Sequence, residues 1–243
     1  MKNTATFRRT AAAVALVTTA VLSVVSNVLA PPFPGDVIDQ LAEIDKAGTP
    51  AIISAFTFTL AQLPFIVGVL GIGHLLRGRE PVLSNVGTTL AVIGGFGHSV
   101  FGGVSMVQLS MAADAPNRAV HAQVLEQLES GPTMAFMAMG LLGTVLGILL
   151  LSIALFRARV VPRWVPVALW GFLVVEFVGS NFSDWATPAS GLLYVVSFTA
   201  IAGTIWRSPA TLWETATLSE TASVASEIPP VRSARHEDET PRP

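Results

Sequence analysis

Six stretches of the chain are apolar for long enough to be membrane helices, and the polar residues between them form short arginine-rich or proline-rich connections. A helix needs about 20 mostly apolar residues to cross the hydrocarbon core. The first stretch covers 10–30, the second 51–76, the third 83–111 with His98 as its one ionisable group, and the fourth 133–156. The fifth, 164–180, contains Glu176, and the sixth covers 188–206. None alternates apolar and polar positions as a barrel strand does. The pattern predicts an all-α fold: a polytopic membrane helix bundle with six transmembrane helices spread over 10–207.

Basic residues give this bundle a direction. Lys2, Arg8 and Arg9 precede the first stretch, Arg77 and Arg79 separate the second from the third, and Arg157, Arg159 and Arg163 the fourth from the fifth. Arg207, Arg232, Arg235 and Arg242 follow the sixth, and only Lys46 and Arg118 fall on the opposite side. Positive residues are retained on the cytoplasmic side of a membrane. Both termini are therefore expected in the cytoplasm, with residues 1–9 a short N-terminal segment. Trp164 and Trp206 then lie at the inner boundary and Trp185 at the outer one, where indoles settle. A basic start followed by an apolar run ending Val28-Leu29-Ala30 also fits a signal peptide. Against that, the run exceeds the usual 7–15 residues, and Pro31-Pro32 directly follows the would-be cleavage site. A retained helix is the expectation.

The outer connections carry a weaker helical pattern. After Pro31-Pro32-Phe33-Pro34-Gly35, Asp36 can cap a short helix with Val37, Leu41 and Ile44 on one side. Residues 117–130 repeat the theme with Val120, Val124, Leu125 and Leu128, ended by Gly131-Pro132. Such helices lie on the membrane face or cover the bundle. From Ser208 the chain turns to Ser, Thr, Pro, Glu and Arg, which cannot bury enough apolar surface to offset ordering entropy. Residues 208–243 are expected to form a disordered cytoplasmic tail.

Composition narrows the function. The chain of 243 residues is 51% hydrophobic and 12% charged, with a mean hydropathy of +0.62. Soluble domains carry about 25% charged residues, so an ordinary soluble enzyme is excluded. A net charge of −2 argues against a nucleic-acid binder with a basic surface. The absence of cysteine excludes disulfides, zinc–thiolate sites, iron–sulfur clusters and thiol nucleophiles. The expected partners are the lipid bilayer and another membrane protein or a second copy of the chain, with no nucleic acid.

Helices in lipid associate through small residues. The third stretch places Ala91, Gly94, Gly95, His98, Gly102 and Ser105 near one face, and Gly95, Ser99 and Gly103 form an overlapping stripe. The fourth offers Gly140, Gly143, Thr144 and Gly147. These two helices are expected at the centre of the bundle. In the second stretch Pro64 removes a backbone hydrogen bond beside the polar Gln62, which either neighbouring helices compensate or a small cavity accommodates.

Two groups remain that can carry chemistry. A charged side chain near the bilayer centre costs about 2.5 kcal/mol or more, so Glu176 marks a functional site by default. Counted from the cytoplasmic boundary at 1.5 Å per residue, Glu176 lies roughly 18 Å deep and His98 roughly 22 Å. With Gln62, they are the candidate ligand- or proton-binding residues. A His–Glu pair can relay protons, bind a cation or substrate, or form a static hydrogen bond. Haem clamped by His74 and His98 fails on depth, because His74 sits near the cytoplasmic end of its stretch. No HExxH, Gly-x-Ser-x-Gly or P-loop pattern occurs. No catalytic residue, metal or cofactor is expected.

The inner turns Leu76-Arg77-Gly78-Arg79 and Phe156-Arg157-Ala158-Arg159-Val160-Val161-Pro162-Arg163-Trp164 alternate with glycine-rich spans across 10–206. With 12 arginines against 2 lysines, the chain resembles a broad class of bacterial multi-pass membrane proteins grouped only as domains of unknown function. The resemblance implies a helical fold and an inner-membrane location, and brings no catalytic residues. The expected function is that of a non-enzymatic integral membrane protein: structural, regulatory, or binding a partner or lipid. The alternative is a small transporter or proton-linked permease using Glu176 and His98, although no inverted repeat accompanies it.

Overall fold

The computed structural model describes residues 2–179, 182–183 and 185–214, apart from the side chains of residues 2, 3 and 129. Among them the regular structure is helical: α1 (Lys2–Leu29), α2 (Val37–Ala47), α3 (Thr49–Leu76), α4 (Pro81–Ala113), α5 (Arg118–Ser130), α6 (Met134–Ala158), α7 (Trp164–Phe177) and α8 (Ala186–Arg207). The protein is an all-α membrane helix bundle. Five helices (α1, α3, α4, α6 and α8) are long and apolar enough to cross a membrane.

The fifth apolar stretch differs from its expected 164–180. Helix α7 has 14 residues, about 21 Å of rise against roughly 30 Å of hydrocarbon. Its last carbonyls are closed by the Val178 N–H bonding to Val174 at 3.0 Å, and Gly179 follows, a poor helix former. The apolar run therefore outlasts the helix.

The long helices and α7 form a closed ring. Each packs beside the next in the chain (α1, α3, α4, α6, α7, α8), and α8 returns to α1. The α4–α6 and α1–α3 faces are the most extensive, and both depend on glycine. A Cβ at Gly147 would stand 2.5 Å from the Ala91 nitrogen, and one at Gly143 2.7 Å from the Gly94 nitrogen. In α3, a Cβ at Gly68 would meet Leu16 of α1 at 2.7 Å.

The small residues of α4 do not act as one stripe. Gly94 and Gly97 face α6, whereas Gly95 meets Ile66 and Gly102 meets Thr59, both on α3. Gly103 faces open space. Because α4 is wedged between two partners, its small residues divide between opposite flanks.

Helix α1 is integral to the ring, with Leu16, Thr19 and Ala20 almost fully buried. The Thr19 hydroxyl donates to the Ala61 carbonyl at 2.8 Å, in the turn just before Pro64, and α3 continues through that proline. Large apolar side chains such as Leu63, Phe96, Leu142, Val174 and Leu192 are exposed around the circumference, as lipid contact requires.

One end of the ring carries a cap. The Asp36 side chain accepts from the Ile38 N–H at 2.9 Å and starts α2. Gly48 ends it at a φ of 58°, a left-handed conformation that glycine adopts without a Cβ clash, and α3 begins at the next residue. Helix α2 packs against α4 and α5 around Leu41, Ile44, Ala112 and Leu125. Arg118 pairs with Asp45 at 2.8 Å to join the two cap helices.

The other, arginine-rich end is closed by the start of the expected tail. Residues Ala210–Trp213 form a 3-10 turn with Trp213 buried. The indole stacks on His74 with ring centroids 4.5 Å apart and donates to Ser208 Oγ at 2.8 Å. Arg9 of α1 donates to the Ser208 carbonyl at 2.8 Å. The expectation of disorder from Ser208 is corrected for residues 208–214: one tryptophan supplies the apolar anchor that the surrounding polar composition conceals. Residues 215–243 lie outside the described residues.

Candidate functional site

All six helices of the ring contribute to one central cavity of about 130 Å³. Its polar wall includes Thr19 and Asn27 from α1, Gln62 from α3, His98 from α4, Thr144 from α6 and Glu176 from α7. Phe58, Phe65, Phe172 and Phe177 supply the apolar wall. Glu176, His98 and Gln62, remote in sequence and each unusual in an apolar run, therefore share one chamber. An apolar cavity of about 150 Å³ holds benzene; this one is of similar size but carries polar partners that water or a small polar molecule needs.

Glu176 is half-buried and held by two neighbouring helices. Asn27 Nδ2 donates to Oε1 at 3.3 Å, and Ser190 Oγ donates to Oε2. The Ser190 hydroxyl also stands 2.9 Å from the Thr187 carbonyl. A hydroxyl has one proton and can also accept, so this chain of groups can form in two senses. With Glu176 charged, Ser190 donates to the carboxylate. With Glu176 protonated, the carboxyl donates to Ser190, which donates to Thr187. The heavy atoms need not move between the two.

His98 is half-buried on the opposite wall. Thr144 Oγ1 lies 3.4 Å from its Nδ1, and Phe58 meets it edge-on with centroids 5.7 Å apart. The α6 backbone reaches the ring because residue 140 is glycine: a Cβ there would be 2.7 Å from His98 Cδ2. No hydrogen bond or ion pair joins His98 to Glu176 among the described residues; they share a cavity and not a contact. Gln62 is buried, its amide donating to the Phe58 carbonyl at 2.9 Å.

A second chamber of about 210 Å³ adjoins the first on the cap side. It is lined by Ser26, Ser54, Ser105 and Gln108 among others, with Phe33 and Ile44 toward the cap. Asn27 and Phe58 belong to both chambers. Phe58 also meets Phe101 edge-on at 6.4 Å, so its ring stands between the two.

His74 is far from this site in its contacts, bonded through Nε2 to the Leu212 carbonyl at 2.8 Å. Among the described residues no group of three His, Asp or Glu side chains converges to hold a metal. Sequence reasoning missed Asn27 and Ser190, two groups that hold Glu176. Asn27 was detectable as an amide in an apolar run; Ser190 was not, because serine is common in membrane helices. No protein-family model, curated protein or solved structure matches this chain, so the site is read from its own geometry.

Proposed function

We propose that this is a non-enzymatic bacterial protein of the cytoplasmic membrane, with both termini inside, that binds a small ligand in the central chamber. The observation that carries the reading is the convergence of Glu176, His98 and Gln62 on one cavity lined by every helix of the ring. The chemistry favours a ligand with a hydrogen-bond donor or positive charge toward Glu176 and a compact apolar body against the phenylalanines. The expected route of access is from the cap side, where the second chamber shares Asn27 and Phe58 with the first.

The chain contains no cysteine, so Ser23→Cys on the chamber wall introduces a single thiol. Its modification by 2-aminoethyl and 2-sulfonatoethyl methanethiosulfonate, in nanodiscs, reads both access and charge. A charged Glu176 favours the cation by about tenfold or more, and adding Glu176→Gln removes the preference. A thiol inert to both reagents, or a preference unchanged by Glu176→Gln, overturns the reading.

The adjoining chamber favours a second reading, a proton-linked permease in which the Glu176 carboxyl takes up and releases the proton while the Ser190 hydroxyl turns between Glu176 and the Thr187 carbonyl. Acid-driven proton entry into proteoliposomes that Glu176→Gln abolishes separates the permease from a binding protein.

A further inference from the structure

At the arginine-rich end, four arginines line one basin. Arg77, Arg79, Arg159 and Arg207 line a concavity of about 880 Å³, with Thr204 and Ser208 between them. No Asp or Glu lines it among the described residues. Glu80, on the adjoining surface, is engaged by Arg157 at 3.0 Å. Arginines at this end follow from topology alone; their convergence on a concave surface does not.

The basin is built and not merely bordered. Arg77 Nη2 donates to the Leu212 carbonyl at 2.7 Å, and Arg79 Nη1 donates to the Ala158 carbonyl at 2.9 Å. Arg77 is further tied through Nη1 to His74 Nδ1 at 3.5 Å, and both guanidinium groups, with five N–H donors each, retain others for a ligand. The docked turn Ala210–Trp213 forms the remaining wall. Arg159 closes α6 at a φ of 53°, the one left-handed non-glycine residue described. Glycine would hold that conformation without the clash, so an arginine there is strained.

We infer that this basin binds a phosphate-bearing anion, in the first instance the headgroup of an anionic phospholipid of the adjacent leaflet. Fixed guanidinium forks suit phosphate oxygens, and basic pockets between helix ends on the cytoplasmic side take such headgroups. A free phosphate compound shares the chemistry and can occupy the same groups from solution.

The test uses the full chain and the double variant Arg159→Gln/Arg207→Gln, which removes the two basin arginines whose side chains make no hydrogen bond among the described residues. Arg163→Gln, at the same end but outside the basin, is the control. Native mass spectrometry measures retention of dioleoylphosphatidylglycerol against dioleoylphosphatidylcholine, and thermal melting in detergent measures the response to inorganic phosphate. The wild type is expected to retain phosphatidylglycerol preferentially, the double variant to lose about tenfold in apparent affinity, and the control to keep it. Stabilisation by inorganic phosphate that the double variant also loses, without lipid preference, assigns the basin to a soluble phosphate compound. Neither effect, or equal loss in the control, overturns the inference.

Discussion

Ser26 and Ser54 clasp each other across α1 and α3. Ser26 Oγ donates to the Ser54 carbonyl at 3.0 Å, and Ser54 Oγ donates to the Ser26 carbonyl at 2.8 Å. Each side chain thus satisfies the other's main chain, at the wall of the second chamber. Hydrogen bonds between membrane helices contribute about 0.6 kcal/mol on average and rarely exceed about 1.7. Ser26→Ala and Ser54→Ala are each expected to destabilise the bundle by about 1 kcal/mol. The double variant should cost less than the sum, because the two hydroxyls also meet each other at 3.4 Å and that contact is lost in either single variant. Unfolding in mixed micelles measures the cycle.

Glycines of the α4–α6 face and of the open flank should respond oppositely to a methyl group. In Gly147→Ala the new carbon meets the backbone of Ala91 at 2.5 and 2.7 Å, so the helices must part, at a cost of about 1–3 kcal/mol. Gly103 has nothing within 4 Å of its virtual Cβ, and Gly103→Ala is expected to be neutral or stabilising by about 0.5–1 kcal/mol through reduced chain entropy. Thermal melting of the two variants in one detergent checks the contrast.

The docked turn should control protease access. Trp213→Ala removes the stacking on His74 and the hydrogen bond to Ser208, freeing the segment after Arg207. Tryptic cleavage at Arg207–Ser208 is expected to accelerate by about tenfold or more, since local opening sets access. The bundle itself should remain folded.

Acid should loosen the cap before the ring. His121 and Asn117 hydrogen-bond Asp114 and hold its carboxyl below the ordinary value of 3.8. A lowered carboxylate contributes its stability above that value and loses it as pH falls through the lower folded value. The group is exposed, so the effect is small and local. Hydrogen exchange of α5, measured against Asp114→Asn at each pH, should show wild-type protection at pH 5 that shrinks toward that of the variant only once the pH falls below the ordinary carboxylate value.

How much of this was visible beforehand differs by level. The helices announced themselves through length and hydropathy, and Glu176, His98 and Gln62 through being polar where lipid tolerates little polarity. Their shared cavity was less visible, since it depends on the ring closing through α8 and α1. The division of Gly94 and Gly95 between opposite partners was hidden because spacing along one helix does not say how many neighbours it has. The Arg118–Asp45 bridge lies across 73 residues of chain, beyond any local pattern. Trp213 was masked by polar neighbours.

The unequal reach of the helices has a consequence for the surrounding lipid. Helix α7 rises about 21 Å while α4, at 33 residues, rises about 50 Å. Where helix alone matches the hydrocarbon, the α7 flank suits a thinner bilayer than the α4 flank, and each Å of mismatch costs a fraction of a kcal/mol. Lipids with shorter tails relieve that deformation, as does a second copy set against the shallow side. The bundle is therefore expected to respond to membrane thickness itself.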